Sequence, residues 1–346
     1  MKKCTALLLA IIMLLAFAGC AETVTPEQSE EESVLESESI SVETKRDTLA
    51  ICMLSVEHPA NRLVQYGFIK TAEELGYKTK IVGLKEGTDA DQLAEWEKVL
   101  EDEDIAGVAV WTGLDSHHDF LKECHAKGLH VVVPYNYQDY KKAHEFVDYN
   151  PFRDRFHNTD EGIIAAEFLM QKLSEKGITE GSIGVMINGG TGSQVDFACE
   201  NFRETMVNGG FTLYDTWWEP PAIEEGANKA EEYITQYPDM IAVFSMSTGG
   251  AKTWAEAIKR TGREDIIVMT YANGLPVDDY LADYYIIEPL YEAGAEAAKG
   301  LAALNDGRVF ATEEEWQPYL PINIVDKGAY AEYEARYNEA QAYFAR

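Results

Sequence analysis

Two stretches of this chain are rich in residue types that could do chemistry: Asp115, His117, His118 and Asp119, and the run Gly189-Gly190-Thr191-Gly192-Ser193. Imidazoles and carboxylates bind divalent metals. Adjacent histidines at a helix start point in different directions, however, so a solvated first turn is expected there and not a metal site. The glycine-rich run has the chemistry of a strand-to-helix turn, where helix N–H groups attract anions. It lacks the Gly-Lys-Ser/Thr ending of a phosphate loop, which leaves at most a weak polar contact. The sequence has no Gly-x-Ser-x-Gly elbow and no His-Glu-x-x-His helix, and its spacing pairs no nucleophile with an oriented base. No Cys-x-x-Cys pair occurs among the five cysteines. Cys52 lies in an apolar strand, Cys124 follows Phe120 by four residues, and Cys199 shares a stripe with Val195, Phe202 and Met206, so these three read as buried free thiols. The expectation is a binding protein and not an enzyme, with no cofactor and no metal.

The elements around these residues begin with a leader. Lys2 and Lys3 precede an apolar run, Ala6 to Ala18, shorter than the roughly 20 residues of a membrane-spanning helix and followed by Gly19-Cys20. This resembles a bacterial lipoprotein signal peptide, with Phe17 where those families most often carry Leu. The resemblance implies a leader over residues 1–19, lipidation of Cys20, and a mature chain anchored on the extracytoplasmic face of the cell membrane. An uncleaved anchor is the alternative reading. From Ala21 to Asp47 there are nine Asp/Glu, two Lys/Arg and almost no large apolar side chains, so residues 20–47 read as an acidic flexible tether. The formal charge of −31 repels phosphate backbones, which makes nucleic acid a poor partner.

Beyond Asp47 short β-branched runs alternate with amphipathic helices. Strand Thr48 to Ser55 leads to a helix from about Pro59, with Val64, Phe68, Ala72 and Leu75 on its inner face and Gly76 as its stop. Strands are expected at Thr79 to Val82, Ile105 to Trp111 and His130 to Pro134. A helix capped by Thr88 or Asp89 and another ending at Gly128 lie between them. After an extended piece, Phe146 to Asn150, alternation resumes. Helices are expected near Asn158 to Lys176, Gln194 to Val207, Ile223 to Tyr237 and Gly250 to Thr261, with strands at Ser182 to Ile187, Phe211 to Trp217, Met240 to Ser245 and Ile266 to Tyr271. Repeated strand–helix–strand units predict an α/β fold of two doubly wound, parallel-sheet lobes.

This order resembles the type I periplasmic binding proteins, in the ribose and sugar-binding branch that serves ABC importers. The resemblance is carried by Leu54-Ser55-Val56-Glu57-His58-Pro59, by Val147-Asp148-Tyr149-Asn150 at a first crossing, and by Gly162 to Leu169 opening a second lobe. Tyr285-Ile286-Ile287-Glu288-Pro289 looks like a return crossing and Pro318 to Val325 like a third. It implies two lobes joined by three hinge crossings, one of residues 48–149 and 289–317, the other of 150–288 and 318–346. Such a chain is expected to close as a monomer on a small ligand.

The resemblance also places the cleft. The loop after the first strand brings Glu57, His58 and Asn61, without the stacking aromatics of the sugar binders. Trp111, ending the third strand, is read either as a stacking surface or as core. Tyr135 and Asn136 end the fourth strand, where the family usually presents Asp and then Arg. In the second lobe a ligand-binding Arg position falls on or near Asp196, and Trp217 or Trp218 supplies an aromatic wall. Ser247 stands in for a usual Asn, Asn273 (or Ala272) for a usual Asp, and Glu288 for a usual Gln. Arginines are lost and carboxylates gained, so the cleft suits a hydrogen-bond-donating sugar, or an amine-bearing or nucleoside ligand, better than an anion. The expected role is delivery of a sugar-like solute to an ABC permease. A sensor partnered with a membrane histidine kinase or chemoreceptor is the alternative. A LacI-type regulator, which shares the architecture, is disfavoured by the leader and by the absence of a basic helix-turn-helix before Thr48.

Overall fold

In the computed structural model of this protein the described residues are 46–113, 117–134, 136–137, 145–151, 160–187, 194–214, 217–218, 223–246, 249–272, 275–277, 281–316, 318 and 320–345. Cys20, Tyr135, Ser247 and Asn273 lie outside them. Residues Lys45–Arg346 form one compact unit.

The first sheet has the order β2-β1-β3-β5, built from β1 (Thr48–Cys52), β2 (Lys78–Val82), β3 (Ile105–Val110) and β5 (His130–Val132), all parallel. A two-residue pair, β4 (Thr112–Gly113) with β6 (Asn136–Tyr137), prolongs it past the ends of β3 and β5. Helices α1 (Pro59–Glu74), α2 (Asp89–Trp96) and α3 (His118–Ala126) connect the strands. A parallel sheet covered on both faces explains why the strands are apolar throughout. Leu49, Ile51 and Met53 cluster with Val64 and Phe68, whereas Ala50 and Cys52 cluster with Trp96 and Val108.

Local signals set the helix ends. Pro59 opens α1 at a position whose N–H has no helical partner to lose. Thr88 and Asp91 cap α2 reciprocally, with N–H bonds of 2.9 and 3.2 Å. Leu75, expected inward, caps the end of α1 and is 47% exposed, because Gly76 at φ +83° turns the chain away there. His117, expected on a solvated turn, is fully buried with its ring 4.6 Å from that of Trp96, while His118 turns away to meet Phe146. Packing against Trp96 has taken the first residue of the pair out of water.

The second lobe holds α4 (Asp160–Glu175), β7 (Ser182–Ile187), α5 (Gln194–Asn208), β8 (Thr212–Leu213), β9 (Trp217–Trp218), α6 (Ile223–Gln236), β10 (Met240–Ser245), α7 (Gly250–Thr261), β11 (Ile267–Tyr271) and β12 (Tyr284–Ile287). Its sheet runs β13-β12-β11-β10-β7-β8, where β13 (Asn323–Asp326) is antiparallel to β12. The single strand expected from Phe211 to Trp217 is two. Thr212 faces Ser182 at the start of β7, Trp217 faces Met186 near its end, and one residue is gained between, as in a bulge.

Each lobe packs one helix pair backbone to backbone. A Cβ on Gly67 of α1 would lie 2.1 Å from the Tyr291 carbonyl oxygen, and one on Gly294 would lie 2.0 Å from that of Val64, so α1 and α8 (Leu290–Asn305) touch through glycine. In the second lobe, a Cβ on Gly162 of α4 would lie 2.0 Å from the Ala198 oxygen of α5.

The first crossing runs beside β5, where Val132 bridges Tyr149. The ring of Tyr149 lies against Gly300 of α8 and stacks on Phe310 at 4.3 Å. Trp316, ending α9 (Glu313–Trp316), donates its indole N–H to the Val147 carbonyl, and its own carbonyl accepts the Asn150 N–H, both at 2.8 Å. The last helix, α10 (Tyr330–Phe344), straddles both lobes. Tyr330 and Tyr333 pack in the second-lobe core, Tyr337 and Ala340 in that of the first.

Candidate functional site

Parallel pairing brings the carboxyl ends of β1, β3 and β5 to one edge of the first sheet, and those of β7, β10, β11 and β12 to one edge of the second. Loops at such edges are where open α/β sheets hold ligands.

The loop after β1 is tightly built. Asn61, 8% exposed, donates its amide to the Leu54 carbonyl and, at 3.0 Å, to that of Ser55, while Gln65 donates to the Val56 carbonyl at 2.8 Å. Ser55 takes φ +49°, and its hydroxyl donates to the Lys85 carbonyl at 3.0 Å. Asn61 thus shapes the loop and spends its donors on it. Glu57 is 47% exposed and paired with Lys85 at 2.7 Å, which holds its carboxyl below the usual range and raises the lysine. His58 is exposed at the N-cap of α1.

Trp111 is buried directly after β3. Its N–H donates to the Cys52 carbonyl at 2.9 Å, and its side chain belongs to the core cluster of Leu49 and Val64. Asn136 lies in β6, beside Gly113–Thr112 of β4, at the same sheet edge. Asp196 occupies the first turn of α5, and Trp218 pairs with Ile187 at the end of β7. Ser247 and Asn273 fall in the loops that follow β10 and β11, outside the described residues. Glu288, 5% exposed, follows β12 at the return crossing.

Three residues at this edge escaped sequence reasoning. Glu161, in the first turn of α4, is buried and accepts the Tyr271 hydroxyl at 3.2 Å, and Tyr271 ends β11. A carboxylate beside the positive end of a helix was the available signal, but its burial was not readable. Tyr330 of α10 is fully buried and donates to the carbonyls of Ala272, at 3.2 Å, and Leu275, so it fixes both flanks of the loop that carries Asn273.

Burial raises two of the thiols. Cys52 is pushed well above the ordinary range and Cys124 up to about 12. Among the described residues no group of three metal-binding side chains occurs.

The arrangement offers two buried carboxylates and a tyrosine hydroxyl at the edge of the second sheet, with no nucleophile–base pair among the residues singled out above. Residues 49–308 match the family described as a periplasmic binding protein domain. None of the curated proteins matches the chain. Among solved structures, an ABC transporter solute binding protein from Bradyrhizobium sp. BTAi1 with bound Bis-Tris aligns at a TM-score of 0.70 and 14% identity, over 85% of this chain and 86% of its own. AraP, an arabinose binding protein from Geobacillus stearothermophilus, aligns at 0.68 and 14% identity, over 83% and 99%. GanP, a glucose-galactose binding protein from the same organism, aligns at 0.62 and 15%, over 82% and 98%. Identities this low speak for a shared fold.

Proposed function

Because the chain belongs to the periplasmic binding protein domain family, we propose that it is a membrane-tethered solute receptor that captures a sugar-like ligand between its lobes and presents it to an ABC import permease. The observation that carries the reading is the buried carboxylate of Glu288 at the return crossing, directly beyond the carboxyl end of β12 in the second sheet. A carboxylate accepts hydrogen bonds from vicinal hydroxyls and repels phosphorylated or carboxylated solutes. The named sugar binders among the structural neighbours support the same class, since they align along 98–99% of their own length. Closure stabilised by contacts from both lobes gives a permease a distinct state to recognise. Glu57, His58, Tyr135, Asn136, Asp196, Trp218, Ser247, Asn273 and Glu288 are proposed to face the ligand, Asn61 to hold the loop that presents the first two, and Trp111, packed in the first-lobe core, to back them.

A second reading, an amine-bearing polyol, is favoured by two buried carboxylates, Glu161 and Glu288, in one lobe, and by the Bis-Tris, itself a polyhydroxylated amine, in one neighbour.

A thermal-shift screen separates the two. It uses residues 45–346, the compact unit that lacks the apolar leader and Cys20, which the lipid-anchor reading expects in the soluble fraction while the unaltered chain sediments with membranes. A ligand confined to the folded state adds about 2.7 kcal/mol at 100 times its dissociation constant. A shift with one pentose or hexose class supports the sugar reading, and a shift with amino polyols alone supports the second. Silence across both classes overturns both.

A further inference from the structure

We propose that α10 is a latch on lobe movement, fixed in the second lobe by its first turn and gripping α1 of the first lobe with its last two. The inference presumes that the lobes move, but not which ligand moves them.

A crossing made of extended chain absorbs a change of lobe angle by small rotations about φ and ψ. A 15-residue helix spans about 22 Å and cannot bend without losing its own hydrogen bonds. One end of α10 must therefore let go when the lobes turn.

The two ends are unequal. At the first, Tyr330 is fully buried, its ring 4.4 Å from that of Tyr285 and its hydroxyl held by two carbonyls. At the other, Ala340 is buried and Tyr337 half-buried in the first-lobe core, and Tyr343 meets the Tyr66 ring at 5.6 Å, but the polar contacts are exposed or incomplete. Arg336 pairs with Glu292 and lies over the Tyr291 ring at 4.7 Å, with both partners of the ion pair more than 40% exposed. The Tyr343 hydroxyl donates to Glu73 at 3.1 Å, and Arg62 donates to the side-chain amide oxygen Oε1 of Gln341. Among the described residues the buried amide nitrogen of Gln341 meets no hydrogen-bond partner, a cost borne only while this end is docked. Exposed ion pairs contribute little. The grip on α1 is thus the end that releases, and it holds Arg62, the residue next to Asn61, whose amide shapes the candidate ligand loop. Lobe angle and loop geometry meet in the first turn of α1.

The test reads distances in ligand-free protein, so it gives a result even if no sugar binds. Spin labels at Glu86→Cys and Glu225→Cys, one exposed site on each lobe, are placed in the full chain with Cys4 and Cys20 replaced by serine; Cys52, Cys124 and Cys199 are buried. Ala340→Glu is expected to broaden the interlobe distance distribution and shift its maximum. Arg62→Ala combined with Tyr343→Phe, which removes only half-exposed contacts, is expected to do the same to a smaller extent. Unchanged distributions in every variant that folds overturn the latch and show the end of α10 to be plain packing.

Discussion

Both lobes use the same aspartate device, but they surround it differently. Asp148 donates its N–H to the Val131 carbonyl at 2.8 Å, and its carboxylate accepts the Val131 N–H at 2.8 Å; Asp283 does the same with Val268 at 2.9 and 2.8 Å. Each carboxylate closes the ladder where a new strand joins the sheet. After Asp283 that strand continues through three pairs, Met269 with Tyr284 to Tyr271 with Ile286. After Asp148 there is a single bridge, Val132 with Tyr149, before the chain leaves for the other lobe. The shorter join has side-chain help, with His125 3.5 Å and His130 3.8 Å from the carboxylate. Burial pushes the Asp148 carboxyl up, but His130, the Val131 amide and the charge of His125 outweigh it and leave it below its ordinary value. Where backbone pairing is brief, titratable side chains carry the connection.

The largest expected effect tests whether the lobes really are built alike. Gly294→Val and Gly162→Val each drive a side chain into a backbone carbonyl 2.0 Å away, and each is expected to cost about 3 kcal/mol or more in urea unfolding. A large loss in one lobe and a small one in the other would break the parallel between them.

Next come the clamps. Asp148→Asn and Asp283→Asn are each expected to cost about 1–3 kcal/mol, with Asp148 the more damaging because less ladder follows it. A folded carboxyl held below its unfolded value of 3.8 stabilises above about pH 4, and that contribution disappears as pH falls through the folded value. Unfolding curves of the unaltered chain and of Asp148→Asn should therefore converge in acid. A gap that stayed constant down to pH 2 would remove charge from the explanation. The smallest effect belongs to His125→Gln, whose half-exposed pairing is expected to be worth less than about 1 kcal/mol and to fade with salt.

Periodicity made most of the fold legible. The stripe Val64, Phe68, Ala72 and the capping position at Thr88 or Asp89 say helix whatever surrounds them, and alternation of runs says parallel sheet. What remained hidden depends on partners distant in sequence. Nothing near residue 61 shows that an asparagine amide will be used up by Leu54 and Ser55. Burial of Glu161 is decided by Tyr271, far along the chain. The register gain that splits β8 from β9 is visible only against β7. In α10 the tyrosines announce burial without naming two different cores. Of the candidate site, the strand-end loops were legible because topology fixes them, but which side chains point inward was not.

The ring of Tyr149 rests on Gly300 and Phe310, and Trp316 is bonded to both Val147 and Asn150, so the first crossing, the helix that follows the second and the approach to the third share one seat. These segments are thereby ganged like the leaves of one door hinge around a common pin. A methyl group at residue 300 would lie 2.2 Å from the Tyr149 ring and so bear directly on that pin.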